Sequence, residues 1–194
     1  MSKTEIRNST AYHEAAHAVV AARYGWWIIE PGIRIDSAAH IQYRCYPWDW
    51  VASLRITIYL AGELAARLHL GRLDEGFNSR SDFDDYCEDI KEENGLLDGD
   101  ETEVIRILID RYPTMPQSRR YLLFKRLERL TLRLVQQPEI WTRIDGLAKA
   151  LIERGDLSDE EATEVMEDLG CWDYYHSDTD AINRRVQRWR PSGA

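Results

Sequence analysis

Two histidines four residues apart, His13 and His17, bracket a glutamate in the segment His13-Glu14-Ala15-Ala16-His17. On an α-helix, residues i and i+4 are neighbours on one face, so both imidazoles can reach one metal ion. A Zn²⁺ ion takes nitrogen ligands at about 2.0–2.1 Å, which that spacing allows. Glu14 falls beside the pair, placed to take a proton from water rather than to act as a ligand. The pattern therefore constrains this stretch to a helix and points to metal-assisted hydrolysis. The flanks agree: Ser9 or Thr10 can cap a helix over Ala11–Tyr24, Ala15, Ala16, Ala18, Ala21 and Ala22 favour it, and Gly25 stands where a C′ glycine ends one.

A hydrolytic zinc site uses three protein ligands and one open position, so a third ligand is needed. A metzincin extension would put glycine at Val20 and histidine at Arg23, and neither is present. Glu30 precedes Pro31 in a loop-like stretch, which suits a ligand poorly. The candidates further along are Glu63 and His69 in an apolar helix and Asp82 at the start of an acidic one. His69 reads more readily as a packed or surface helix residue, and His40 as a donor near the metal for a developing oxyanion.

The segment Thr10-Ala11-Tyr12-His13-Glu14-Ala15-Ala16-His17-Ala18-Val19-Val20-Ala21 resembles the zinc helix of the FtsH-like peptidases, the protease half of the AAA proteases. Leu60-Ala61-Gly62-Glu63-Leu64-Ala65-Ala66-Arg67-Leu68-His69-Leu70-Gly71 is similar to that family's second conserved helix. Ser79-Arg80-Ser81-Asp82-Phe83-Asp84 takes the place of its aspartate segment, and Leu151–Ser158 is similar to its closing motif. The resemblance implies an FtsH-like helical peptidase domain, with Asp82 as third zinc ligand and Asp84 or Asp85 as substitutes if the turn is shifted. Ala16 stands where the family has glycine. The second segment exchanges its charges, Glu63 and Arg67 still forming an i,i+4 pair expected on the surface.

Composition sets the remaining bounds. The 194 residues predict one domain, 1–170, with a C-terminal extension, 171–194, that docks on it or binds a partner. A net charge of −9 disfavours nucleic acid as a partner. Cys45, Cys87 and Cys171 form no CxxC pair and read as reduced thiols of a cytoplasmic protein. No apolar run approaches the roughly 20 residues of a membrane span, and no GxxxxGK[ST] phosphate loop occurs. The expectation is thus the peptidase part alone, with no membrane anchor and no ATPase motor of its own. A separate ATPase could deliver substrate, and oligomers are open.

The predicted fold is mainly α with a small β-hairpin. Strands are expected at Trp26–Ile35 and His40–Tyr46 around the turn Asp36–Ala39. Helices are expected near 50–70, 81–94, 100–112, 118–136, 139–154 and 158–169, with Pro138 opening one, a capping box at Ser158, and Gly71, Gly95, Gly155 and Gly170 at ends. Ala61, Gly62, Ala65 and Ala66 allow close helix approach, plausibly to the zinc helix. Leu127, Leu130 and Leu134, and Ile140, Ile144, Leu147 and Leu151, give two apolar stripes. The function expected is a Zn²⁺-dependent metalloendopeptidase acting on flexible or unfolded polypeptides without ATP, with His13, His17 and Asp82 as ligands and Glu14 as base. The alternative is a non-catalytic adaptor that keeps the fold.

Overall fold

The computed structural model describes residues 1–36, 39–44, 52–92 and 99–172. Cys45, Gly95, part of the turn after Asp36 and nearly all of the C-terminal extension lie outside them. The chain runs α1 (Lys3–Arg23), β1 (Trp27–Arg34), β2 (His40–Arg44), α2 (Ala52–Leu70), α3 (Arg80–Glu92), α4 (Asp100–Arg111), α5 (Gln117–Val135), α6 (Pro138–Arg154) and α7 (Asp159–Asp168). This is a mainly helical α+β fold with one two-stranded antiparallel sheet. Among the described residues no helix is long and apolar enough to cross a membrane.

The first helix starts two turns earlier than its alanines suggest. Ser2, not Ser9 or Thr10, is the N-cap, closing a capping box with Glu5. Thr10 instead bonds back to the Ile6 carbonyl, as a mid-helix threonine can. From Ala11 to Ala22 the helix is buried on nearly every side. A helix that is apolar all round belongs in the centre of a domain, and α1 is central.

Two apolar clusters make up the core. The first gathers α1, the sheet, α6 and α7; the second gathers α3, α4 and part of α5. α2 belongs to both, giving Ile58, Ala61 and Ala65 to the first and Ile56, Leu60 and Leu64 to the second. Small side chains on both helices bring α1 and α2 close together, as the sequence pattern predicts. The α6 stripe of Ile140, Ile144, Leu147 and Leu151 is fully buried. Of the α5 stripe, Leu127 and Leu134 pack half-buried against the two clusters, but Leu130 is 48% exposed, and the deepest positions are Phe124, Thr131 and Val135. The aromatic ring of Phe124 decides the register, packing at 5.5 Å against Phe83 and 5.4 Å against Phe77.

The strands pair from Trp27↔Arg44 to Arg34↔His40, with the irregularity Glu30-Pro31-Gly32 between Ile29 and Ile33. β1 is fastened on its other side to the α6–α7 connection, where Ile33 and Leu157 exchange backbone hydrogen bonds of 2.8 and 2.9 Å. Gly32, at φ +84°, is needed there, because a Cβ would fall 2.1 Å from the Leu157 carbonyl oxygen. Asp156 completes the joint, accepting hydrogen bonds from the Ile35 and Asp36 amides at 2.7 and 3.0 Å and from Arg34 at 3.1 Å. Burial works against its charge, yet these donors hold its carboxyl below the ordinary value.

A carboxyl lowered on folding stabilises the fold above its unfolded-state pKa, and that contribution is lost as pH falls through the folded value. Asp156→Ala is therefore expected to destabilise by about 1–2 kcal/mol at pH 7, with the gap from wild type shrinking below about pH 3.5. Denaturant unfolding at both pH values measures it. An equal gap at both would place the contribution in packing instead.

Candidate metal centre

The seam between the two core clusters holds the candidate site. α1 presents His13 and His17 toward α2 and the start of α4, with Nε2 atoms 3.0 Å apart. Asp100, the first residue of α4, puts Oδ2 2.8 Å from each of them. Ligands of a single zinc at about 2.0–2.1 Å must lie within roughly 4 Å of one another, and these three do.

The two imidazoles share a hydrogen bond between their Nε2 atoms, which leaves the carboxylate as the odd group. Asp100 Oδ2 is sealed from solvent and makes no hydrogen bond of acceptable angle, although both imidazoles are in contact with it. A buried carboxylate oxygen in that condition is costly unless something positive sits between the groups. His17 Nδ1 lies 2.8 Å from the Ile58 carbonyl, which only accepts, so Nδ1 carries a proton and Nε2 is the atom turned to the centre. That is how a metal-ligating histidine is usually held.

Electrostatics follow the geometry. Burial opposes charge on His17, but Asp100, Glu14 and the Ile58 carbonyl outweigh it and push its pKa up to about 9. Burial would raise Asp100, and the two imidazoles instead hold it well below the usual carboxylate range. Glu14, 4% exposed, is raised by burial against the opposing pull of His17 and His13. A carboxyl so raised is suited to accepting a proton.

The site opens into a cleft of about 710 Å³, lined by Glu14, His40, Ile41, Tyr59, Glu63 and Tyr86 among others. β2 forms one wall through His40 and Ile41. His69 is elsewhere, stacked at 3.8 Å on the ring of Tyr12. Glu63 reaches the cleft but is bonded to Arg67 at 2.8 Å.

Asp82, the ligand carried over from the family resemblance, does not join the histidines. Its carboxylate accepts from the Ser79 amide, and Ser79 Oγ accepts from the Asp82 amide, both at 3.1 Å, making a capping box that starts α3. The serine three residues ahead captures it. Neither substitute replaces it: Asp84 pairs with Arg80 at 3.1 Å, and Asp85 lies outside the group. Among the described residues the third member is Asp100. Its only sequence signal is an acidic residue at a helix start, which Glu101 and Glu103 share.

Gly62 is what admits the histidines. A Cβ there would stand 2.4 Å from His17 Nε2 and 3.0 Å from His13 Cδ2. The His17 ring cannot easily yield, since the Ile58 carbonyl one turn earlier on α2 fixes it. Gly62→Ala is expected to cost about 1–3 kcal/mol through overpacking, despite alanine's better helix propensity. Denaturant unfolding of the metal-free chain checks this, and a stabilised variant would show that the helices separate freely.

Set against protein-family models, curated proteins and solved structures, the chain matches none.

Proposed function

We propose that this chain is a zinc-dependent endopeptidase, with His13, His17 and Asp100 holding the ion and Glu14 as the base. The observation that carries the reading is the convergence of two Nε2 atoms and one buried, hydrogen-bond-starved carboxylate oxygen beside a buried glutamate at the floor of a cleft. Two nitrogens and one oxygen make a zinc donor set of the hydrolytic kind, which leaves one position open. A structural site would be closed by a fourth protein ligand and would have no use for Glu14.

When bound, zinc supplies a Lewis acid that acidifies water and polarises a carbonyl. Glu14 takes the proton from the attacking water and returns it to the leaving amine; its raised affinity for a proton suits both halves of that exchange. Asp100 offsets the charge of the ion, and the Ile58 carbonyl keeps His17 in the tautomer that binds it. β2, at the cleft wall, offers backbone groups to an extended chain, which favours flexible polypeptides over folded ones. The likeness of residues 10–21 to the zinc helix of FtsH-like peptidases supports His13, Glu14 and His17 in these roles, and we propose kinship on that basis. At the third ligand the kinship does not carry over residue by residue. A cytoplasmic setting fits the buried thiols of Cys87 and Cys171.

The test combines metal analysis with cleavage of an unfolded protein in the absence of ATP. Glu14→Gln should keep zinc and lose about 10²–10⁴-fold in turnover. Equal turnover by variant and wild type would remove Glu14 from the mechanism.

Asp100→Ala should lose most zinc at chelator concentrations that leave the wild type loaded, whereas Asp82→Ala should retain it and lose only about 1 kcal/mol of stability with its cap. Zinc lost from the Asp82 variant alone would reverse the assignment.

A further inference from the structure

We propose that Arg67 is a positioning residue for the third ligand, setting the place of Asp100 relative to the histidine pair through Glu101. The inference rests on the metal-site reading above and adds a residue that touches neither the ion's donors nor the cleft floor.

Arg67 is 7% exposed, and its guanidinium divides its donors among three segments. Nε bonds Glu63 at 2.8 Å within α2, Nη1 bonds the Glu75 carbonyl at 2.6 Å, and Nη2 bonds Glu101 at 2.8 Å. Glu128 of α5 stands 4.0 Å from Nη1. The connection after α2 is shaped around the group: Gly76, at φ +128°, has no room for a Cβ, which would fall 2.4 Å from Nη1. The pair that the sequence suggests for the surface is thus the centre of a buried network.

Glu101 is the neighbour of Asp100, so its tether holds the first turn of α4. The N-cap of that turn is Gly99, which has no side chain to cap it, and the Tyr86 hydroxyl meets Thr102 there at 2.7 Å. Gly62, which seats the histidine rings, lies five residues before Arg67 on the same helix, a rise of about 7.5 Å. One rigid helix therefore carries both contacts, and the separation between histidines and aspartate is fixed by its length. The three-way division needs a planar fork, which lysine lacks.

Zinc affinity by chelator competition, with the visible spectrum of the Co²⁺-loaded protein as a second readout, tests this on the full chain. Arg67→Gln and Glu101→Ala should each weaken zinc about 10–100-fold and alter the cobalt spectrum while far-UV circular dichroism stays native. The double variant should lose no more than the worse single one, because both act through one contact. Arg67→Lys should recover part of the loss. Glu63→Ala, which removes only the arm inside α2, should leave affinity close to wild type. Folded variants that bind zinc as tightly as wild type, or losses that simply add in the double variant, would overturn the proposal while the metal reading stands. If Arg67→Gln does not fold, the Glu101→Ala affinity and spectrum decide alone. A wild-type chain that binds no zinc overturns the metal reading itself.

Discussion

Everything at the candidate site depends on how closely α1 and α2 approach. Helices approach closely where side chains are small, and α1 brings alanines to the contact while α2 brings Ala61, Gly62 and Ala65. Bulk on α2 is placed to either side, in Ile58 toward one cluster and in Ile56, Leu60 and Leu64 toward the other. The same helix thus joins two cores and leaves a gap at Gly62 for two imidazole rings. Separating the helices would loosen both clusters and unseat the histidines at once.

A second consequence concerns charge. The centre of the molecule contains Glu14, His17, Arg67 and Asp100, all largely removed from water. Burying such groups singly is expensive, and the fold meets the cost by grouping them by sign around two foci. Around Arg67, carboxylates from three helices share one guanidinium. Around the histidines, the carboxylates of Asp100 and Glu14 stand against the imidazole pair.

Much of this was legible in the chain and some was not. The helix carrying His13 and His17, the close-packing residues of α2, the capping box at Ser158 and the start at Pro138 are local signals, each set within a few residues, and the structure contains them. The beginning of α1 was misplaced because alanine content marks a helix interior better than its end, where Ser2 and Glu5 decide. In α5 Leu127 and Leu134 pack inward while Leu130 faces out, because Phe124 sets the helix's rotation within a cluster of aromatic rings. Asp100 escaped notice for a deeper reason: no spacing rule relates it to residues 13 and 17, and only the packing of α2 between them sets that distance. Asp82 drew attention through its segment, while Ser79, three residues earlier, already specified a different use for it.

The sequence separation of the three donors has a thermodynamic meaning. The helices that carry His17 and Asp100, α1 and α4, pack into different clusters, and the two side chains meet where both helices dock on α2. An ion held between them, as proposed, would act as a removable cross-link, closing a long stretch of chain in the folded state and absent from the unfolded one. Its binding energy is then folding energy, RT ln(1 + [L]/Kd), or about 4 kcal/mol when free ion exceeds Kd a thousandfold. The supply of metal would set how firmly the two halves of the molecule cohere, and an unloaded chain would open first along the seam that bears its chemistry.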